Sequence, residues 1–137
     1  MRRDAREAVL IRLYRDCFCS EQDDAFTARI YKERKLTEAD KSFADSLYTT
    51  IKEHESELLE IISQLSQGFL LNRIFLTDKC ALLIGLCEMS YFAEAVPTIV
   101  AIDEAVSLTK IYSGEKSQSF VNGILAEYKK RQEIKTC

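Results

Sequence analysis

The chain holds 137 residues, 47% hydrophobic and 30% charged, with four glycines, one proline and a net charge of −3. That length suits one domain with a sizeable core, and so little Gly and Pro excludes long disordered segments. The longest strongly apolar run, Cys80 to Cys87, is far short of the roughly 20 residues of a membrane span, and no apolar segment follows the N-terminal arginines as a signal peptide requires. The expectation is a soluble, cytoplasmic protein with no membrane partner.

Charge is spread unevenly. Residues 1–16 and 126–137 each carry a net +2, which leaves −7 on residues 17–125. Contact with a polyanion would therefore fall at the ends, although basic residues there also serve simply to solvate the termini. The five cysteines, at 17, 19, 80, 87 and 137, form no CxxC pair. Neither a disulfide framework nor a zinc site is expected, and a reducing cytosol fits.

In chain order, Asp4 is a candidate N-cap for a helix running to about Phe18, with Val9, Leu10, Leu13, Cys17 and Phe18 as its buried stripe. Arg2, Arg3 and Arg6 cluster at its opening turn. A positive helix end disfavours cations, so the cluster suits a phosphate site. Glu21 to Asp24 form a turn that caps a short helix with Phe26, Ile30 and Tyr31 inside, and Lys32 to Lys35 read as a solvated loop. Thr37 and Asp40 make a capping-box-like start for a helix carrying Phe43, Leu47, Tyr48 and Ile51. His54, the single histidine, sits among charged neighbours as a surface residue.

Leu58, Leu59, Ile61, Ile62 and Leu65 predict the next helix, ended by Gly68, and a link from Phe69 to Leu76 follows. Thr77-Asp78 would cap a helix from Lys79 to about Ala93, in which Glu88 is a lone acid. Gly85 inside it disfavours helix by about 1 kcal/mol relative to Ala, which suggests close approach of a neighbouring helix. Pro97 opens a helix whose apolar residues, from Ile99 to Tyr112, cover most of its circumference. That helix needs cover on several sides and is the predicted centre of the domain. After a polar turn, Ser113 to Ser117, the last helix opens near Phe120 with Val121, Ile124, Leu125 and Tyr128 on its stripe. Seven helices and no convincing strand predict an all-α fold.

No Gly-rich phosphate loop, HExxH, GxSxG or Cys–His pairing is present, and His54 has no evident catalytic partner. Asp103 and Glu104 are adjacent, about 100° apart on a helix, so they do not face one another. One of them is expected to satisfy donors at a helix junction. The chain reads as a non-enzyme with no cofactor and no metal.

Three blocks carry a resemblance: Arg2-Arg3-Asp4-Ala5-Arg6-Glu7-Ala8 with Leu13-Tyr14; Val96-Pro97 with Val100 to Val106; and Ser119-Phe120-Val121-Asn122-Gly123-Ile124-Leu125. Together with Phe43-Ala44-Asp45 and Leu86-Cys87-Glu88-Met89, their order and spacing resemble the transcription antitermination factor NusB family across nearly the whole chain. The resemblance implies one seven-helix domain over residues 1–137, with an N-terminal three-helix subdomain (roughly 1–55) and a C-terminal four-helix subdomain (roughly 56–137). It implies binding to boxA RNA of ribosomal RNA leader transcripts together with NusE, a small-subunit ribosomal protein. Through that complex RNA polymerase and other Nus factors become indirect partners.

By position, the resemblance gives RNA contact to Arg2, Arg3 and Arg6, with Arg12 and Arg15 behind them, and to Ser119, Phe120 and Asn122. It gives the NusE surface to Tyr14, Phe18 and Glu88. Ser119, Ala126 and Leu83 depart from the family pattern, where Lys, an acid and Arg are usual, and all three are expected at the surface. Two rivals remain: an interaction scaffold that keeps NusE contact with weak or no RNA binding, and a stand-alone copy of the NusB-like domain found in some ribosomal RNA cytosine methyltransferases.

Overall fold

The computed structural model describes residues 2–66 and 73–136, and the regular elements among them are all helices. In order they are α1 (Arg2–Asp16), α2 (Asp24–Glu33), α3 (Glu38–Glu53), α4 (Glu55–Leu65), α5 (Leu76–Tyr91), α6 (Thr98–Tyr112) and α7 (Glu115–Thr136). Gly68 and the first half of the link that follows it lie outside the described residues.

Local chemistry sets several boundaries. Asp23 caps α2 by accepting the Phe26 amide at 3.0 Å. Thr37 and Asp40 form the full reciprocal box at the start of α3: the Asp40 amide donates to Thr37 Oγ1 at 3.1 Å, and the Thr37 amide to Asp40 Oδ2 at 3.2 Å. Caps of this kind contribute about 1 kcal/mol each.

The centre of the molecule is α5, not α6. Every residue from Cys80 to Glu88 is buried, and α5 touches α1, α3, α4, α6 and α7. Its run from Cys80 to Cys87 contains no polar side chain over more than two turns, so it has no face that water can solvate. By contrast, α6 buries Ala101, Ile102, Ala105, Leu108 and Thr109 but leaves Ile99, Val100, Ile111 and Tyr112 exposed. Leu83 is 3% exposed within α5, so that departure from the family pattern lies in the core, whereas Ser119 and Ala126 are exposed.

Gly85 is where three helices meet. A methyl group on it would lie 2.8 Å from Leu125 Cδ1 on α7 and 3.1 Å from Ala105 Cβ on α6. The absence of a side chain sets how closely α5 packs on both neighbours.

Five local expectations need correcting. Helix α1 begins at Arg2, which puts Asp4 in its first turn rather than at the cap, and it ends at Asp16. The chain then turns, with the Cys17 amide on Tyr14 O at 3.1 Å and the Phe18 amide on Arg15 O at 3.0 Å, leaving Cys17 and Phe18 exposed rather than in the stripe. Helix α5 starts at Leu76, so Thr77 and Asp78 belong to its first turn; α7 starts at Glu115, five residues before Phe120. Finally, Lys32 and Glu33 are helical, and Arg34 pairs with Glu7 of α1 and donates from Nη2 to the Tyr112 hydroxyl at 3.1 Å. Arg34 thus ties α2 to α1 and α6, while Lys32, Glu33 and Lys35 are exposed, as a solvated segment would be.

His54 occupies the joint between α3 and α4 as the α3 C-cap. Its ring stacks on Tyr91, with centroids 4.2 Å apart and planes 18° from parallel. The Tyr91 hydroxyl donates to Glu57 at 2.8 Å.

Candidate functional site

Helix α1 carries all five N-terminal arginines, and its pitch sends them in different directions. Arg6 points into the body and meets Glu88 in a two-pronged ion pair, Nε to Oε2 at 2.8 Å and Nη2 to Oε1 at 2.7 Å. Arg6 is 4% exposed and Glu88 0%. Glu104 of α6 lies 3.8 Å from Arg6 Nη1 and also receives Arg3, from Nε at 3.3 Å and Nη2 at 3.2 Å. Glu104 is thus the acid that satisfies donors at a helix junction. The Arg2 guanidinium sits 4.6 Å from the centre of the Phe43 ring, and Phe43 meets Phe92 edge-on at 6.1 Å.

Arg12 and Arg15 are also occupied. Arg12 lies 3.6 Å over the Tyr48 ring and donates to the Tyr31 hydroxyl at 2.9 Å, with Asp45 3.6 Å away. Arg15 donates to the Glu21 carbonyl at 2.9 Å and packs 5.0 Å over Phe26. The cationic cluster visible in the sequence is therefore partnered within the protein, and only Arg2 and Arg3 stand exposed at the surface.

Tyr31 provides a direct check on the Arg12 cluster. It donates to Asp45 Oδ1 at 2.7 Å, and burial followed by that hydrogen bond pushes its hydroxyl up to about 12. A raised folded-state value means the folded form keeps its proton after the unfolded form has lost it. Tyr31 therefore supports folding fully below about pH 10, and this contribution is lost as pH rises from 10 towards 12. Absorbance titration at alkaline pH should show one late-ionising tyrosine disappear in Tyr31→Phe, and an unchanged curve would contradict the contact.

Two of the residues expected at a partner surface do lie together. Tyr14 and Phe18 are 41% and 69% exposed, with ring centroids 5.3 Å apart. Beside them Tyr14, Phe75 and Tyr112 line an open groove of about 720 Å³. Glu88 does not join this patch. It is buried against Arg6, which lies about 12 Å along α1 from Tyr14 at 1.5 Å per residue.

The groove is held by hydrogen bonds that tie its lining residues Thr77, Ser113 and Ser117 to one another and to Asp78 behind them. Asp78, buried in the first turn of α5, accepts Ser117 Oγ at 2.9 Å and Ser113 Oγ at 3.4 Å. Thr77 Oγ1 is 2.8 Å from Ser113 Oγ. Burial raises Asp78 above the ordinary carboxylate value, against the pull of the two hydroxyls.

On α7, Ser119 and Asn122 are exposed and Phe120 is partly buried. Ser119 and Phe120 line a groove of about 370 Å³ with Leu65 and Ser66. On its other side Phe120 faces a second groove of about 300 Å³, with Arg73, Phe75 and Lys116. Sequence reasoning missed Arg73, Phe75 and Lys116. The signal available was a Phe in a link with no core position to fill. Among the described residues no cluster of His, Cys, Asp or Glu is placed to hold a metal ion, and no helix is long and apolar enough to cross a membrane.

Known proteins resemble the chain in sequence and in fold. A transcription antitermination protein NusB from Limosilactobacillus reuteri (strain DSM 20016) is 41% identical over 87 residues, which is 63% of this chain and 62% of that protein. The chain thus spans under two thirds of the length of the curated relatives it matches. T. maritima NusB superposes with a TM-score of 0.80 at 31% identity, over 93% of this chain and 89% of that one. A structure of the antitermination factors NusB and NusE in complex with dsRNA gives 0.80 at 25% identity, over 92% and 93% of the two chains. The model of the NusB family matches residues 3–130, and with a match over nearly the whole length the chain belongs to the NusB family.

Proposed function

We propose that this chain is a transcription antitermination factor that binds boxA RNA of ribosomal RNA leader transcripts jointly with NusE. RNA polymerase and other Nus factors are its indirect partners, and the cytoplasm is its compartment. The observation that carries the reading is the exposed aromatic surface of Tyr14 and Phe18 beside the groove of Phe75 and Tyr112. Aromatic side chains of this exposure suit a protein partner. The L. reuteri relative is named as an antitermination protein, and a close structural relative is seen with NusE and dsRNA.

The state of the arginines makes RNA binding depend on that partner. Arg6 is locked to Glu88 and Arg3 is shared with Glu104, so a phosphate must compete for what α1 offers. Two exposed arginines on single-stranded RNA give a salt slope of roughly −1.4, at about −0.7 per phosphate. In gel-shift titrations the isolated protein should bind boxA RNA weakly and NusE should strengthen binding about ten-fold or more. Equal affinity with and without NusE would rule the cooperative reading out. Arg2→Ala with Arg3→Ala should remove most of the slope contributed by α1 while leaving NusE binding intact.

A second reading, a scaffold that keeps NusE and has weak or no RNA binding, draws on the same internal pairing of Arg3 and Arg6. It expects full NusE affinity and no shift of boxA RNA even at low ionic strength.

A further inference from the structure

The geometry points to a nucleotide subsite beside the partner groove: one nucleotide of single-stranded RNA, its base against Phe75 and its phosphate between Arg73 and Lys116. This rests on the RNA-binding reading above and adds a location that the arginine-rich helix does not supply.

Three observations converge on this place. First, Arg73 and Lys116 line the groove of about 300 Å³ and make no ion pair among the described residues. All five arginines of α1, by contrast, are engaged by an acid, a carbonyl or a ring. Second, Phe75 is 71% exposed, with Phe120 across the same groove. An exposed ring flanked by cations that have no ion pair among the described residues is the combination that holds single strands, the ring stacking on a base and the cations following the backbone. Third, the one acid at the site is turned inward. Asp78 is 2% exposed and its oxygens accept Ser117 and Ser113, so its carboxylate is covered where a phosphate would sit.

The position also explains why NusE and RNA would help one another. Phe75, Lys116 and Ser117 line both this groove and the Tyr14–Tyr112 groove, forming a ridge between them. A protein seated against the Tyr14 side fixes the Phe75 ring and leaves its other face ordered for a base. Ordering by one ligand that benefits the second is positive cooperativity, and the effect is reciprocal.

The test uses the full chain, NusE, and a short single-stranded boxA RNA carrying one 2-aminopurine. Wild type should quench the 2-aminopurine on binding, and Phe75→Ala should lose the quenching and bind about ten-fold more weakly, with Phe75→Tyr restoring both. Arg73→Ala with Lys116→Ala should flatten the salt slope by roughly 1.4, from two phosphates at about 0.7 each, at unchanged thermal midpoint. Lys116→Glu should weaken RNA binding further. If wild type binds and the double variant keeps the full slope, this subsite is wrong while the RNA-binding reading stands. If wild type ignores the RNA even with NusE at low salt, both fall. A double variant that loses NusE affinity in the absence of RNA, with its RNA slope intact, assigns the ridge to the protein partner alone and overturns the subsite.

Discussion

Glu88→Ala is expected to destabilise the protein by up to about 3–5 kcal/mol, because it removes both hydrogen-bond acceptors of the buried Arg6 guanidinium and leaves only Glu104, 3.8 Å away, to balance its charge. Against a typical domain stability of roughly 5–15 kcal/mol, that is a large share of what keeps the chain folded. Glu88→Gln keeps the volume and one acceptor oxygen, so its loss should be smaller. Removing both charges is a different experiment. Arg6→Met with Glu88→Leu fills the same space without a buried ion, and such replacements are often neutral or stabilising by about 1–4 kcal/mol. Urea unfolding of the two single variants and the double variant closes the cycle. A loss below about 1 kcal/mol in Glu88→Ala would show that the pair does not hold α1 against α5. The folded double variant also separates structure from function: it lacks Arg6, and its RNA salt slope should equal that of wild type if Arg6 serves only to anchor the helix.

What could be read from the sequence follows the distance over which each feature acts. The capping box of α3 was legible because Thr37 and Asp40 meet within one turn and no other element intervenes. Gly85 was legible for a related reason, since a glycine inside an apolar helical run has few explanations besides close packing. The central helix was not. Both α5 and α6 are apolar on most sides, and composition ranks α6 as highly as α5. Only the placement of α1, α3 and α4 against α5 decides between them. The arginines show the same limit. Their number and helical position are local facts, but Arg6 finds Glu88 82 residues away and Arg3 finds Glu104 101 residues away. Phe75, Arg73 and Lys116 carry no periodic signal in a link and a turn, and their grouping exists only once Ser117 of α7 reaches Asp78 of α5.

The same α5–α7 contact makes Gly85→Val the second substitution with a large expected effect. Valine gains little over glycine in intrinsic helix preference and places two further methyl groups beyond a Cβ that already lies 2.8 Å from Leu125 Cδ1 and 3.1 Å from Ala105 Cβ. The Leu125 tip can rotate away, but Ala105 Cβ is fixed to the α6 backbone, so the helices themselves must separate. Overpacking of this kind typically costs about 1–3 kcal/mol, and a buried three-helix junction belongs at the upper end. Gly85→Ala is the milder control, since about 1 kcal/mol of helix preference offsets part of its clash. Gly85→Val should therefore lower the urea midpoint at unchanged slope, and Ala105→Gly added to it should recover part of the loss by opening the α6 side. Because α7 also carries Lys116, Ser119, Phe120 and Asn122, a displaced α7 should weaken RNA binding even where most molecules remain folded. Wild-type stability in Gly85→Val would mean that α5, α6 and α7 have slack at their crossing, and the positioning of the α7 residues would then need another cause.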